Sequence, residues 1–180
     1  MGLALLTGMG GSAPVDLKGQ AVDPMADQAA RVVVLYFAAT DCSVSNRYVP
    51  EIQRLQKEFA AEGVHFWFVY PNPEDTAAVV SAHDQQFAIT TSTVLDRDQS
   101  LVRRAHVVAT PEAAVFVREG DGLREVYHGR IDDRYLSFGH ERPHAMHHDL
   151  EVAIQAALAH RPVPPPGGDP VGCAIMPLNL

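Results

Sequence analysis

A chain of 180 residues with 47% hydrophobic and 20% charged side chains has the balance of a globular protein built as one ordinary domain. Its net charge of −8 argues against a nucleic-acid or anionic-membrane partner, because both attract basic patches. No apolar run approaches the roughly 20 residues that span a bilayer, so no membrane insertion is expected, and two cysteines are too few for a disulfide scaffold.

Residues 1–24, rich in Gly, Pro and small side chains, are expected to form a loose N-terminal arm. Within it, Leu3 to Leu6 is too short for a signal-peptide core and no Lys or Arg precedes it. That leaves a cytosolic protein or the mature form of an exported one.

The run Arg31 to Ala38 (Val-Val-Val-Leu-Tyr-Phe at its centre) is β-branched and aromatic without interruption, the pattern of a strand buried on both faces. From Ser43 to Ala60 the apolar residues Val49, Ile52, Leu55 and Phe59 recur at helical spacing, with Arg54, Lys57 and Glu58 between them, and Gly63 follows as a stop. Val64 to Tyr70 is a second buried strand, ended by Pro71 and Pro73. Residues 74–88 predict a crossover helix that opens on Glu74 and Asp75, as the helix dipole favours. A short strand at Thr93-Val94-Leu95 and a short helix over Gln99 to Val107 come next. Ala113 to Val117 and Leu123 to His128 flank the turn Glu119-Gly120-Asp121-Gly122, a hairpin signal. A last helix runs from Asp149 to His160, with Asp149 as its N-cap. A Pro/Gly-rich tail, residues 161–180, is expected to be flexible; it closes the chain and contains Val171-Gly172-Cys173-Ala174-Ile175.

Strands alternating with helices imply a parallel core, and the late hairpin adds antiparallel strands. The expected fold class is α/β with a mixed central sheet and helices on both faces, in a single domain over residues 1–180.

Chemistry in such sheets collects at the carboxyl ends of the strands. Cys42 lies there, in Phe37-Ala38-Ala39-Thr40-Asp41-Cys42-Ser43-Val44-Ser45, where the chain turns helical. Free N–H groups and the dipole at a helix start stabilise thiolate over thiol, and a thiolate attacks disulfides. Arg47 adds positive charge nearby and Asp41 opposes it. The alternative is an unreactive buried cysteine.

The same segment resembles the active-site stretch of the thioredoxin superfamily, in particular its redoxin branch, in which a strand ends in an aromatic-Ala-x-x-x-Cys-x-x-Cys pattern. Pro50 falls where that family has a proline in the active-site helix. Thr110-Pro111 resembles its cis-proline loop, Asp16-Leu17-Lys18-Gly19 its motif before the first core strand, and Tyr127 to Asp132 the glycine-containing end of its last strand. The ordered set spans roughly residues 14–160. It implies a thioredoxin-like fold, Cys42 as nucleophile, Thr110 and Pro111 shaping the substrate groove, protein thiols or disulfides as partners, and no cofactor. Proteins of this kind resemble exported bacterial ones, which favours a periplasmic or exported location over a cytoplasmic one.

One departure matters more than the matches. Ser45 stands where the family motif has its second cysteine; a serine can hydrogen-bond a thiolate but cannot resolve a mixed disulfide. Cys173 in the tail can then resolve Cys42, an external thiol can do so, or the site has become a binding site. A thiol peroxidase of the peroxiredoxin kind is the rival enzyme. Leu35 and Ala39 stand where that motif requires proline and threonine, and Thr40 is one residue out of register.

Four of the nine histidines cluster in residues 140–148. His144, His147 and His148 are candidate ligands for copper or zinc beside Cys42 if the domain binds metal or a protein partner instead of turning over. Their spacing matches no closed zinc motif, and a polar loop is the expected reading. Arg130 and Asp132, at the end of the last strand, are candidates to tune Cys42. Asp133 and Arg134 are expected to form a surface ion-pair network of little energetic weight.

Overall fold

The computed structural model describes residues 13–178, so Leu3 to Leu6 lies outside the described residues. The strands are β1 (Val32–Phe37), β2 (Val64–Tyr70), β3 (Ser92–Leu95), β4 (Ala109–Thr110), β5 (Glu112–Glu119), β6 (Gly122–Gly129), β7 (Tyr135–Ser137), β8 (His140–Glu141) and β9 (Cys173–Ala174). The α-helices are α1 (Ser43–Phe59), α2 (Ala77–Gln86), α3 (Ser100–Arg104) and α4 (Asp149–Leu158). Five strands form the central sheet in the order β3-β2-β1-β5-β6. The pairs β1–β2 and β2–β3 are parallel, whereas β1–β5 and β5–β6 are antiparallel, so the sheet is mixed.

β1 takes the centre because all six of its residues are apolar or aromatic and buried. Its alternate side chains feed two separate cores. Val32, Val34 and Tyr36 pack with Val49, Ile52 and Leu55 of α1 and Leu150, Ala153 and Ile154 of α4. Val33, Leu35 and Phe37 face the other way, against Leu101 and Val102 of α3, Val107, and Ile175 of the tail. The four-residue apolar stripe expected on α1 is buried throughout, and Val44 and Tyr48 extend it. Among the described residues no helix is long and apolar enough to cross a membrane.

Several expectations need correction. The arm is not loose from Pro14 onward. Val15 pairs with Leu95 at the edge of β3 through hydrogen bonds of 3.2 and 2.8 Å, and Asp16 Oδ1 accepts from the N–H groups of Lys18 and Gln20 to close the turn. Helix α2 starts three residues late, because the Thr76 hydroxyl caps it and Glu74 and Asp75 lie ahead of the cap. His148, not Asp149, is the N-cap of α4, and Asp149 turns to Arg130.

Helix α3 has five residues and no apolar face long enough to hold it alone. Buried Asp96 nucleates it, accepting from the N–H groups of Ser100, Leu101 and Val102 and from the Ser100 hydroxyl at 2.9–3.0 Å. Asp96→Ala leaves three backbone donors without their acceptor and is expected to lower unfolding stability by about 3 kcal/mol in urea titration. A loss under about 1 kcal/mol would show that α3 is held by packing instead.

Candidate active site

Cys42 is the N-cap of α1, three residues past the buried Ala38-Ala39 that follow β1, and is fully buried. The loop carrying it is fixed on the α2 side. The Thr40 hydroxyl donates to Asp75 Oδ1 at 2.5 Å, and Asn46 Nδ2 donates to the Thr40 carbonyl at 3.1 Å. Asn46 Oδ1 in turn meets His83 Nε2 at 2.8 Å, and His83 Nδ1 lies 3.0 Å from the Tyr70 hydroxyl. Burial lowers the His83 pKa and favours its neutral ring, a linker between Asn46 and Tyr70.

Asp75 is 4% exposed, and its second oxygen is buried with no hydrogen-bond partner among the described residues. Burial raises its pKa, against the Thr40 hydroxyl bond that lowers it. A carboxyl held towards its neutral form beside the cysteine loop is a group that sequence reasoning missed. Its acidic neighbours at a helix start pointed to dipole chemistry, and nothing local signals its reach to Thr40.

The opposite wall is the peptide Thr110–Pro111, which is cis. The Cys42 thiol donates to the Thr110 carbonyl at 3.2 Å. Strand β4, which ends at Thr110, pairs antiparallel with β9, so that Thr110 faces Cys173 and Ala109 faces Ala174. The ladder is extended by Ile175 N–H to the Val108 carbonyl at 2.9 Å, and Gln99 Nε2 donates to the Met176 carbonyl at 2.8 Å. Ile175 is 8% exposed and closes this end of the second core.

The tail expected to be flexible is therefore a docked strand, and it delivers Cys173 to Cys42. The two free sulfurs lie 2.7 Å apart, with the Cys173 thiol donating. A disulfide bond measures about 2.05 Å, so closing one needs a shift of well under 1 Å. Burial raises the Cys173 pKa, reinforced by the hydrogen bond to Cys42 and the charges of Cys42 and Asp41. That shift favours the protonated thiol of Cys173.

The other expected site residues are placed elsewhere. Ser45 is buried, but its hydroxyl lies 3.4 Å from both the Tyr36 hydroxyl and the Ala39 N–H, so it braces β1 instead of the sulfur. Arg47 pairs with Glu141 at 2.9 Å. Arg130 pairs with Asp149 at 2.9 Å, and its guanidinium lies against Gly167 and Gly168, so it secures the tail and not the thiol. Asp132 binds the Tyr48 hydroxyl, and burial raises its pKa. Asp133 is no surface residue: it is 5% exposed and accepts from the N–H groups of Met146 and His147 at 2.6 and 2.9 Å. Thr40, the residue nearest to a peroxidase threonine, spends its hydroxyl on Asp75.

Among the described residues two groups have metal-ligand spacing, and neither includes a cysteine. His148 falls in one, with Glu51 and Glu151, but Arg54 already pairs with both of those carboxylates. His144 and His147 fall in neither group.

The model of the AhpC/TSA family matches residues 12–126 of the chain. No curated protein matches it. Among solved structures, a hypothetical protein from Sinorhizobium meliloti superposes with a TM-score of 0.75 at 19% identity, over 93% of this chain and 91% of that one. An uncharacterized conserved protein from Geobacillus kaustophilus gives 0.75 at 22%, over 93% and 89%. A secreted disulfide oxidoreductase of Mycobacterium tuberculosis gives 0.53 at 15%, over 83% and 95%. These likenesses show that the fold is thioredoxin-like.

Proposed function

The chain belongs to the AhpC/TSA family, a redoxin family, and from that premise we propose that it is a thiol–disulfide oxidoreductase in which Cys42 attacks and Cys173 resolves. The observation that carries this reading is the 2.7 Å separation of the two sulfurs, with Cys173 held opposite Thr110 on the β4–β9 ladder and the Cys42 thiol donating to the Thr110 carbonyl.

The cycle balances with two electrons. The Cys42 thiolate attacks one sulfur of a substrate disulfide, forms a mixed disulfide and expels the other sulfur as a thiolate, which takes up a proton. Cys173 loses its proton and attacks Cys42 Sγ, so the Cys42–Cys173 disulfide forms and the second substrate thiol leaves. An external thiol pair returns the protein to its reduced state by the reverse exchange. Because Cys42 is fully buried beneath the tail, substrate reaches it when the segment around Cys173 lifts from β4. Protein disulfides are the substrate class proposed for this chain, in keeping with the fold it shares with a secreted disulfide oxidoreductase.

The test is peptide mass spectrometry of the non-reduced protein after exposure to oxidised glutathione. A linked Cys42–Cys173 peptide, formed with release of reduced glutathione, is the expected result. Two thiols that stay free under the same conditions would sink the proposal. Oxidation that proceeds with hydrogen peroxide and not with disulfides would move the assignment to a thiol peroxidase.

A further inference from the structure

His106, Glu125 and His128 converge at the edge of the central sheet, on the face that carries α3. His106 Nδ1 lies 3.0 Å from one oxygen of Glu125, and His128 Nδ1 lies 2.7 Å from the other. The three ligand atoms all fall within 4.8 Å of one another. The two imidazole rings stand 5.9 Å apart, centre to centre.

A regular strand would not build this. Residues three apart in a strand project to opposite faces, so Glu125 and His128 should be separated by the sheet. The β5–β6 ladder shifts register between Val115 and Phe116: Tyr127 pairs with Val115, Glu125 with Phe116, and Val126 is the extra residue. His128 opposite Ala114 and Glu125 opposite Phe116 thereby share one face. A bulge that re-aims a side chain is a built feature of an edge strand. The third member arrives from the loop after α3, where His106 adopts a positive φ of 53°. That conformation is costly for a residue other than glycine.

We propose that His106, Glu125 and His128 form a binding site for a borderline-soft divalent cation, of which zinc is the representative. Two imidazoles and one carboxylate are a standard three-residue donor set, and the fourth tetrahedral position is left to water. Ligands around a tetrahedral zinc stand about 3.3 Å apart. The two rings now meet different oxygens of Glu125, so both nitrogens turn towards one shared ion as it replaces the protons between them. The two histidines are exposed and Glu125 is partly buried, so the ion has an approach from solvent and an anchored carboxylate to meet. The other group with ligand spacing differs in one respect: Arg54 already neutralises Glu51 and Glu151.

Bound there, the ion ties the edge strand to the loop that leads into β4. Val108 of that loop and Ala109 of β4 donate to buried Glu112 at 2.8 and 3.1 Å. The site lies on different residues from the cysteine pair and stands whether or not the pair is redox-active.

The experiment is calorimetric titration of the full chain with zinc, in the Cys42→Ser/Cys173→Ser background so that thiols do not compete. One zinc per chain is expected, with affinity at least about tenfold lower in His106→Asn/His128→Asn and in Glu125→Gln. Circular dichroism melts confirm that each variant is folded before titration. A parent that binds no zinc overturns the site, as does zinc held with unchanged affinity by the folded double-histidine variant, because the histidines of residues 140–148 would then be the ligands.

Discussion

In the Cys173→Ser variant, a stable mixed disulfide between Cys42 and a substrate thiol is expected to accumulate to nearly one equivalent. The wild-type protein should instead discharge the same adduct into its internal disulfide. The difference follows from which sulfur has a neighbour. Cys42 sits at the first turn of α1, and the thiol beside it, at 2.7 Å, is that of Cys173. Ser45, one turn along, can do nothing for the adduct, because its oxygen faces Tyr36 and Ala39 and carries no electrons to exchange. The reciprocal variant Cys42→Ser keeps Cys173, a thiol whose pKa burial, the largest cause of its rise, still raises when the partner is gone, so it holds little thiolate at neutral pH. Its reaction with oxidised glutathione should be at least about tenfold slower than that of Cys42 in Cys173→Ser. Intact-mass measurement of both variants against time reads the two outcomes directly. Equal adduct formation by the two variants, or rapid loss of the adduct in Cys173→Ser, would assign the resolving step to another thiol.

The parts of this arrangement that were legible in the sequence are those written in continuous local patterns. The run Val32 to Phe37 announces a buried central strand, and Val49, Ile52, Leu55 and Phe59 announce the helix face that covers it. Cys42 is legible because a strand-to-helix junction is itself a local signal, and Thr110-Pro111 because its neighbours on both sides read clearly. The tail was misjudged for a physical reason. β9 has two residues between Gly/Pro-rich flanks, so its periodicity is too short to register, and its stability comes from a ladder with β4 supplied by a distant part of the chain. Long-range side-chain networks were equally hidden. Asp75 reaches Thr40 and His83 reaches Asn46 across the α1–α2 boundary, and no spacing rule links those positions. The bulge at Val126 works in the opposite direction, since a strict two-residue period assigns Glu125 and His128 to opposite faces.

Gly172→Val should uncouple the two cysteines without touching either. A Cβ at this position would meet the Thr110 carbonyl oxygen at 2.1 Å, its carbonyl carbon at 2.7 Å and Pro111 Cδ at 2.8 Å. Those are backbone and ring atoms of two buried residues, so the tail must give way. Once β9 leaves β4, Ile175 loses its place against Leu101 and Val107, and Cys173 becomes a thiol on a tether. Its effective concentration at Cys42 then falls towards the millimolar range of a loose linker. The internal disulfide should become easier to reduce by at least a factor of about ten, or about 30 mV for this two-electron couple. Cys42 meanwhile loses its cover, and its alkylation by iodoacetamide should accelerate in the same variant. The melt is what makes the pair of measurements decisive: a variant that had merely unfolded would expose both thiols and lose its cooperative melt, whereas a lifted tail keeps the melt. A Gly172→Val protein that forms the Cys42–Cys173 disulfide at the wild-type potential would show that the ladder does not set the sulfur–sulfur distance, and that the tail reaches Cys42 by a route other than β4.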